Sequence, residues 1–307
     1  MRTVNMENGA VARELQRATC LGRATHWSAT IYTFDGARSP RLMREVWRLR
    51  EMSYREVGVA LSGDVGGNAM DVDGVCRQLI VWDDAARRIV GGYRYVVGAE
   101  VAGCERLSLS RYFSLSQRFV NDYLPRALEL SRSFISPEYQ SAAGRHTIYA
   151  LDALWEGLGR VVEALDVRYL FGRVTLYPSM CSEARDLLLG FMRYIFPPRE
   201  RLMAARVPLG VGLSRFRCRQ IFVGETLTEN YRILLSRMRD LQCAVPPIIS
   251  SYMRLSPTMQ TFDVYENGDL GGVVETAIML TVEDFYDDIK RRYLSNGIPQ
   301  SRRDVVV

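Results

Sequence analysis

The chain has 307 residues, 48% hydrophobic and 24% charged, with 40 basic residues against 35 acidic ones for a net charge of +5. That length and balance fit one large soluble domain or two ordinary ones, and exclude a disordered chain, a collagen and a low-complexity scaffold. Apolar runs such as Ala277-Ile278-Met279-Leu280 fall far short of the ~20 residues of a membrane span, and residues 1–9 lack the apolar core of a signal peptide, so a cytoplasmic location is expected.

Residues 1–29 are polar without a sustained period and read as a loosely docked N-terminal arm. Thr30–Phe34 reads as a strand ended by Asp35-Gly36. Ser39-Pro40 opens a helix that buries Leu42, Val46, Trp47 and Leu49, with Tyr54 further along it. The glycine-rich stretch 61–70 is a loop. Residues 78–82 and 89–97 form a hairpin, and Phe113–Phe119 borders a short helix. Ala127–Ile135 is a strand that carries polar groups, Ile148–Leu165 a helix, and Arg168–Tyr177 a strand closed by Pro178. Ser179–Phe196 is a helix stopped by Pro197-Pro198. After an irregular stretch comes a helix at 227–241. Pro246-Pro247 marks a boundary, and 259–265 with 273–282 form a second hairpin around Asn267-Gly268-Asp269. A mixed sheet splayed around its central strands is one way to make a slot for a thin, extended cofactor arm, and the strands at 127–135 and 168–177 would place it.

Lys290 is the only lysine, so 39 of the 40 basic residues are arginine, and they interleave with acids as in Arg199-Glu200-Arg201. Nucleic-acid binders gather their bases on one face, so no nucleic-acid partner is expected. The six cysteines and two histidines lack zinc or haem spacing, and no metal is expected. No nucleophile elbow, phosphate loop or dinucleotide fingerprint is present. The chemistry must run without a metal and without a histidine base.

Several segments carry a resemblance. They are Arg48-Leu49-Arg50-Glu51-Met52-Ser53-Tyr54, Asp71-Val72-Asp73-Gly74, Gly91-Gly92-Tyr93-Arg94-Tyr95, Glu129-Leu130-Ser131-Arg132-Ser133-Phe134-Ile135-Ser136, Tyr169–Pro178, Pro246–Leu255 and Glu275–Ile278. In this order, over roughly residues 30–290, they resemble GNAT-type long-chain N-acyltransferases. The nearest are the hemolysin-like enzymes of Bacteroidota that make N-acylglycines and glycine lipids. Ornithine-lipid acyltransferases and acyl-homoserine-lactone synthases are more distant.

The resemblance implies an α/β (α+β) GNAT-like mixed sheet flanked by helices, with a helical insertion at about 180–246 and a C-terminal β-hairpin. It places a single domain at 30–290, between the arm 1–29 and a tail 291–307. It implies transfer of a long (3-hydroxy)acyl group from the 4′-phosphopantetheine of an acyl carrier protein, or from acyl-CoA, to the amine of glycine, with no bound cofactor. Ornithine, lysine or another amine is the alternative acceptor. A non-enzymatic membrane-active protein is the alternative class, and no amphipathic span or pore-forming repeat supports it.

Such a transfer needs a neutral amine, a stabilised oxyanion and a path for the leaving thiolate. By the resemblance Glu129 is the base, acting directly or through a water; on the residues alone it reads as a strand-end carboxylate pairing with Arg132. Arg132 would face the other side of a flat strand, unless a bulge intervenes. Its counterparts hold carboxylates in the acceptor or pantetheine region. Asp73 matches the acid that orients the acceptor amine, or is a turn aspartate; relatives often carry a second acid where this chain has Cys76. Arg50, Tyr54 and Arg94 are acceptor-side candidates, an arginine being suited to clamp a carboxylate. Phe134, Ile135 and Ser136 supply backbone amides for the thioester carbonyl. Tyr177 would protonate the thiolate, or simply pack. Residues 140–145 stand where relatives carry a pyrophosphate loop, in degraded form, with Arg145 as an anion contact. Arg193, Arg199, Arg201 and Arg206 could meet an acidic carrier protein or the inner membrane.

Overall fold

A computed structural model describes residues 11–59, 68–140 and 145–294. In chain order the strands are β1 (Thr19–Arg23), β2 (Ala29–Asp35), β3 (Arg77–Asp83), β4 (Arg88–Val97), β5 (Phe113–Leu115), β6 (Ala127–Ile135), β7 (Tyr169–Leu176), β8 (Met203–Ala205), β9 (Gln260–Asn267) and β10 (Val273–Thr281). The helices are α1 (Pro40–Glu56), α2 (Arg145–Ala164), α3 (Ser182–Ile195), α4 (Arg215–Ile221), α5 (Leu227–Asp240), α6 (Pro247–Met253) and α7 (Asp287–Tyr293).

Eight strands form one sheet in the order β1-β2-β3-β4-β6-β7-β10-β9, and β5 pairs with β8 apart from it. Every neighbour in the large sheet is antiparallel except β6 and β7, which run parallel. Alternation along β3 explains why helices cover both faces. Leu79 and Val81 pack with Ala153, Leu154 and Leu158 of α2, while Ile80 and Trp82 pack with Leu42, Met43 and Val46 of α1. Helix α1 starts at Pro40, whose fixed φ suits a first turn. Its inward stripe continues past Leu49 into Arg50, Ser53 and Tyr54, all buried. The helix thus turns from core to polar chemistry within one face.

The segment read as an arm contributes β1, an edge strand paired with β2 from Thr19 to Arg23. Five residues interrupted by an irregularity at Gly22 show no periodicity in sequence. Pro246-Pro247, read as a boundary, opens α6 with proline in its first turn. Within the stretch read as an insertion, Gly190 of α3 packs closely against Leu213 and Cys218.

Parallel pairing of β6 with β7 runs only from Ala127↔Tyr169 to Leu130↔Gly172. Beyond it Arg132 takes a left-handed φ of 52°. Gly92 pairs with Phe134 but Arg94 with Ser131, so Arg132 and Ser133 together oppose the single Tyr93. This is a bulge, and it bends β6 away from β7. The sheet opens there.

Candidate active site

Two cavities meet at the opening. The first, about 520 Å³, is mostly apolar and lies between the splayed end of β6, helix α2 and the segment before α6. Phe134, Ile135, Leu151, Leu154, Met180 and Ile248 line it. The second, about 660 Å³, is polar and rich in arginine, with Arg94, Arg111, Arg132, Arg173 and Arg206 in its wall beside Ser108, Ser131 and Glu275. Tyr54, Tyr93, Ser133 and Tyr177 line both. Both volumes lie in the range of small-molecule sites, about 300–1,000 Å³.

Behind the polar cavity sits a buried ion network. Arg50 Nη1 lies 3.1 Å from both oxygens of Asp71, and Arg50 Nη2 donates to Gln78 Oε1 at 2.5 Å. Trp47 Nε1 and Gln78 Nε2 also donate to Asp71, at 3.0 and 3.1 Å. Burial alone would raise the Asp71 carboxyl, but Arg50, Arg94 and these hydrogen bonds outweigh it and hold it below the usual range. Arg94 donates through Nε to Ser131 Oγ at 3.0 Å. Its Nη1 is 3.5 Å from Asp71 Oδ1 yet makes no hydrogen bond among the described residues.

The bulge gives Arg132 its direction. It is half-buried, lines the polar cavity, and has no ion pair or hydrogen bond among the described residues. Arg173 differs. It bonds Tyr265 Oη at 2.5 Å and Glu275 Oε2 at 3.1 Å and lies 4.9 Å over the Tyr112 ring. Burial would raise the Glu275 carboxyl, but Arg173 and hydrogen bonds from Tyr265, Thr175 and Asn267 depress it. Sequence reasoning gave no role to Asp71, Ser108, Arg173 or Glu275. For Arg173 and Glu275 the usable signal was charge inside otherwise apolar strands, which requires a partner across the sheet; Asp71 and Ser108 lie outside the strands and carried no such signal.

Glu129 does not line either cavity. Its carboxylate accepts from Ser108 N at 3.0 Å, Ser108 Oγ at 2.9 Å and Leu109 N at 2.7 Å, and the residue is 1% exposed. Ser108, which donates to it, does line the polar cavity. Nor does Glu129 pair with Arg132. Asp73, read as the acid orienting the amine, instead accepts from Val75 N and Cys76 N at 2.9 and 3.2 Å and pairs with Arg106 at 3.2 Å. It is a turn aspartate, and Asp71, two residues earlier, is the buried acid. Cys76 lies in an apolar cluster, where burial pushes its thiol up to about 12.

Of the three residues expected to offer amides, Phe134 and Ile135 line the apolar cavity. The Ser136 N–H is committed to Val90 O at 2.8 Å, so it is removed from that set. Tyr177 sits at the junction, its hydroxyl without a hydrogen-bond partner among the described residues. Burial, then neighbouring Tyr54 and Glu275, push its hydroxyl well above the ordinary value. A thiol titrates near 8.5 and a tyrosine near 10, roughly, so net proton transfer from Tyr177 to a thiolate runs uphill. The hydroxyl is better suited to donate a hydrogen bond. Arg50 is sealed in the ion network and lines neither cavity, whereas Tyr54 lines both. Residues 141–144, in the loop matched to the pyrophosphate site, and the Arg145 side chain lie outside the described residues.

Comparison with known proteins identifies relatives of this chain. A model described as an acetyltransferase (GNAT) domain matches residues 49–150. A glycine N(alpha)-acyltransferase of Bacteroides thetaiotaomicron is 39% identical over 87% of this chain and 82% of the relative. One of Phocaeicola vulgatus is 36% identical over 88% of this chain and 85% of the relative. An L-ornithine N(alpha)-acyltransferase of Rhizobium meliloti is 25% identical over 80% of this chain and 76% of the relative.

Proposed function

Because this chain belongs to the family of the glycine N(alpha)-acyltransferases, GNAT-type enzymes that acylate amines, we propose that it transfers a long 3-hydroxyacyl group from acyl carrier protein to the amine of glycine. The observation that carries this reading is the meeting of an apolar and an arginine-rich cavity at Tyr54, Tyr93, Ser133 and Tyr177. A thioester has an apolar chain and a polar reacting end; an amino acid is small and anionic at its far end. Each cavity suits one of them.

The pantetheine arm and acyl chain occupy the apolar cavity, with the carbonyl oxygen toward backbone amides near Phe134 and Ile135. The glycine carboxylate is held by Arg132, whose guanidinium has no protein partner among the described residues, and this orients the amine toward the junction. The amine nitrogen adds to the carbonyl carbon and its proton passes through the Ser108 hydroxyl to Glu129. As the C–S bond breaks, the thiolate accepts a hydrogen bond from the Tyr177 hydroxyl and takes a proton from solvent, while Glu129 returns the amine's proton to solvent through Ser108, so the step balances. The degraded loop at 140–145 favours a single phosphate on a carrier protein over the diphosphate of coenzyme A. The product is an N-acylglycine, the precursor of a diacylated aminolipid.

Purified protein given 3-hydroxyacyl carrier protein and glycine, read by mass spectrometry, tests this. The expected product is N-(3-hydroxyacyl)glycine, with Ser108→Ala slower by about a hundredfold, the scale of losing a proton-transfer group. Preference for ornithine or lysine over glycine would overturn the acceptor. Equal rates from acyl-CoA would overturn the donor, and a full-rate Ser108→Ala would overturn the proton path.

A further inference from the structure

No helix among the described residues is long and apolar enough to cross a membrane. One surface nevertheless has the chemistry to lie on one. Residues 201–224 hold five arginines and no acid, a net +5 that equals the charge of the whole chain. Within this stretch α4 reads Arg-Phe-Arg-Cys-Arg-Gln-Ile. Its anchor is Cys218, 1% exposed, packed against α3 at Gly190.

At about 100° per residue, Phe216 points some 160° away from Cys218, straight out from the body. Arg217 and Arg219 lie about 100° to either side of the anchored face and so flank that crest. Phe216 is 70% exposed, and Val223, just past the helix, 71%. Arg215, Arg217 and Arg219 are all exposed and form no ion pair among the described residues. A helix in water usually turns its charges out and keeps large apolar groups in. Here an aromatic ring crowns the outer face between cations. A convex tip of this kind needs a soft partner. A folded acidic protein would have to supply a pocket of matching shape, whereas a bilayer interface admits an apolar tip anywhere and offers phosphates to the flanking guanidinium groups.

We infer that the face formed by Arg215, Phe216, Arg217, Arg219 and Val223 docks the protein on an anionic lipid bilayer. The inference stands apart from the choice of acceptor or donor, since none of these five residues lines either cavity. Phe216 and Val223 enter the interfacial zone, and the arginines lie among the headgroup phosphates. A docked enzyme releases a water-insoluble acyl amide beside the phase that dissolves it.

The test is sedimentation of the full chain with phosphatidylcholine vesicles, either pure or containing about a third phosphatidylglycerol, at low and high salt. Binding is expected only to the anionic vesicles, and weaker at high salt. Each arginine near such a surface contributes about fivefold to the partition coefficient, so R215Q/R217Q/R219Q should bind about a hundredfold more weakly. Phe216→Ser should lose about tenfold. All four side chains are exposed, so thermal melting should match the wild type, and acyl transfer from a soluble donor should be unchanged. Equal binding to pure phosphatidylcholine, no binding at low salt, or variants that bind like the wild type would each overturn the inference. A triple variant that keeps vesicle binding but needs far more acyl carrier protein to saturate would assign the face to that protein instead.

Discussion

Asp71 stands between two buried guanidinium groups, Arg50 and Arg94, each 1% exposed, so its charge is obligatory. Removing one partner of a buried pair costs about 3–5 kcal/mol, because the other charge is left stranded. Asp71→Asn should destabilise on that scale. Its carboxyl is depressed in the folded state, so its stabilisation is present above the unfolded value and is lost as pH falls through the folded one. Chemical denaturation followed downward from about pH 5 should therefore show a shallower loss in Asp71→Asn than in the wild type. The slope should not vanish, because Glu275 is depressed in the same direction. Parallel profiles would refute the assignment. Arg132 poses the opposite problem, since its left-handed backbone is strained and its guanidinium has no protein partner to compensate. Arg132→Gly should gain about 1 kcal/mol from relief of that strain while acyl transfer falls, a split that thermal melting and steady-state rates would reveal together. At this scale the sequence identified residue types better than their employment. Glu129 and Asp73 are both acids in the matched motifs, yet one ties the 108–109 backbone and the other closes its own turn. Which acid is buried depends on contacts with α1 that no local spacing encodes.

The elements were more legible than the residues, and the reason is length. The strand at 127–135 and the helices at 40–56 and 227–240 emerge nearly as expected because each runs long enough to show its period. Strands β5 and β8 have three residues each, and no pattern exists in three residues. The decisive feature, the divergence of β6 from β7, left one readable mark: a polar run, Glu129-Leu130-Ser131-Arg132, inside a strand otherwise fit for the core. The bulge itself became visible only in the register against β4. Gly172 is the last paired residue before the divergence, and a Cβ there would sit 2.2 Å from the Leu130 carbonyl oxygen. Backbone cannot yield as a flexible side chain does. Gly172→Val should therefore pry the parallel pair apart, cost about 1–3 kcal/mol as an overpacked site, and lower acyl transfer more than stability alone explains. Gly103, where an added Cβ meets nothing within 4 Å, supplies the control. Gly103→Ala should leave both quantities near wild type, and equal effects from the two variants would remove the argument.

For the whole molecule, the consequence of the divergence is separability. One cavity is walled by α2 and the segment before α6, the other by β7, β10 and the 104–112 segment, and they share four residues. If the two substrates occupy different cavities, each should be tunable alone. Leu151, half-buried on α2, lines only the apolar cavity. Leu151→Trp removes space there and should shift the preferred acyl chain to shorter lengths while the glycine KM stays within about twofold, since packing changes stay local when no partner is shared. Arg132 lines only the polar cavity. Arg132→Gln should raise the glycine KM by about ten- to a hundredfold, the scale of one charge-assisted hydrogen bond, and leave the chain-length profile where it was. The measurement is a grid of acyl carrier proteins loaded with different chain lengths against glycine concentration for the three proteins. Crossed effects, in which Leu151→Trp moves the glycine KM or Arg132→Gln moves the chain-length optimum, would mean that one continuous site serves both substrates. The four shared residues would then be the centre of that site and not the boundary between two.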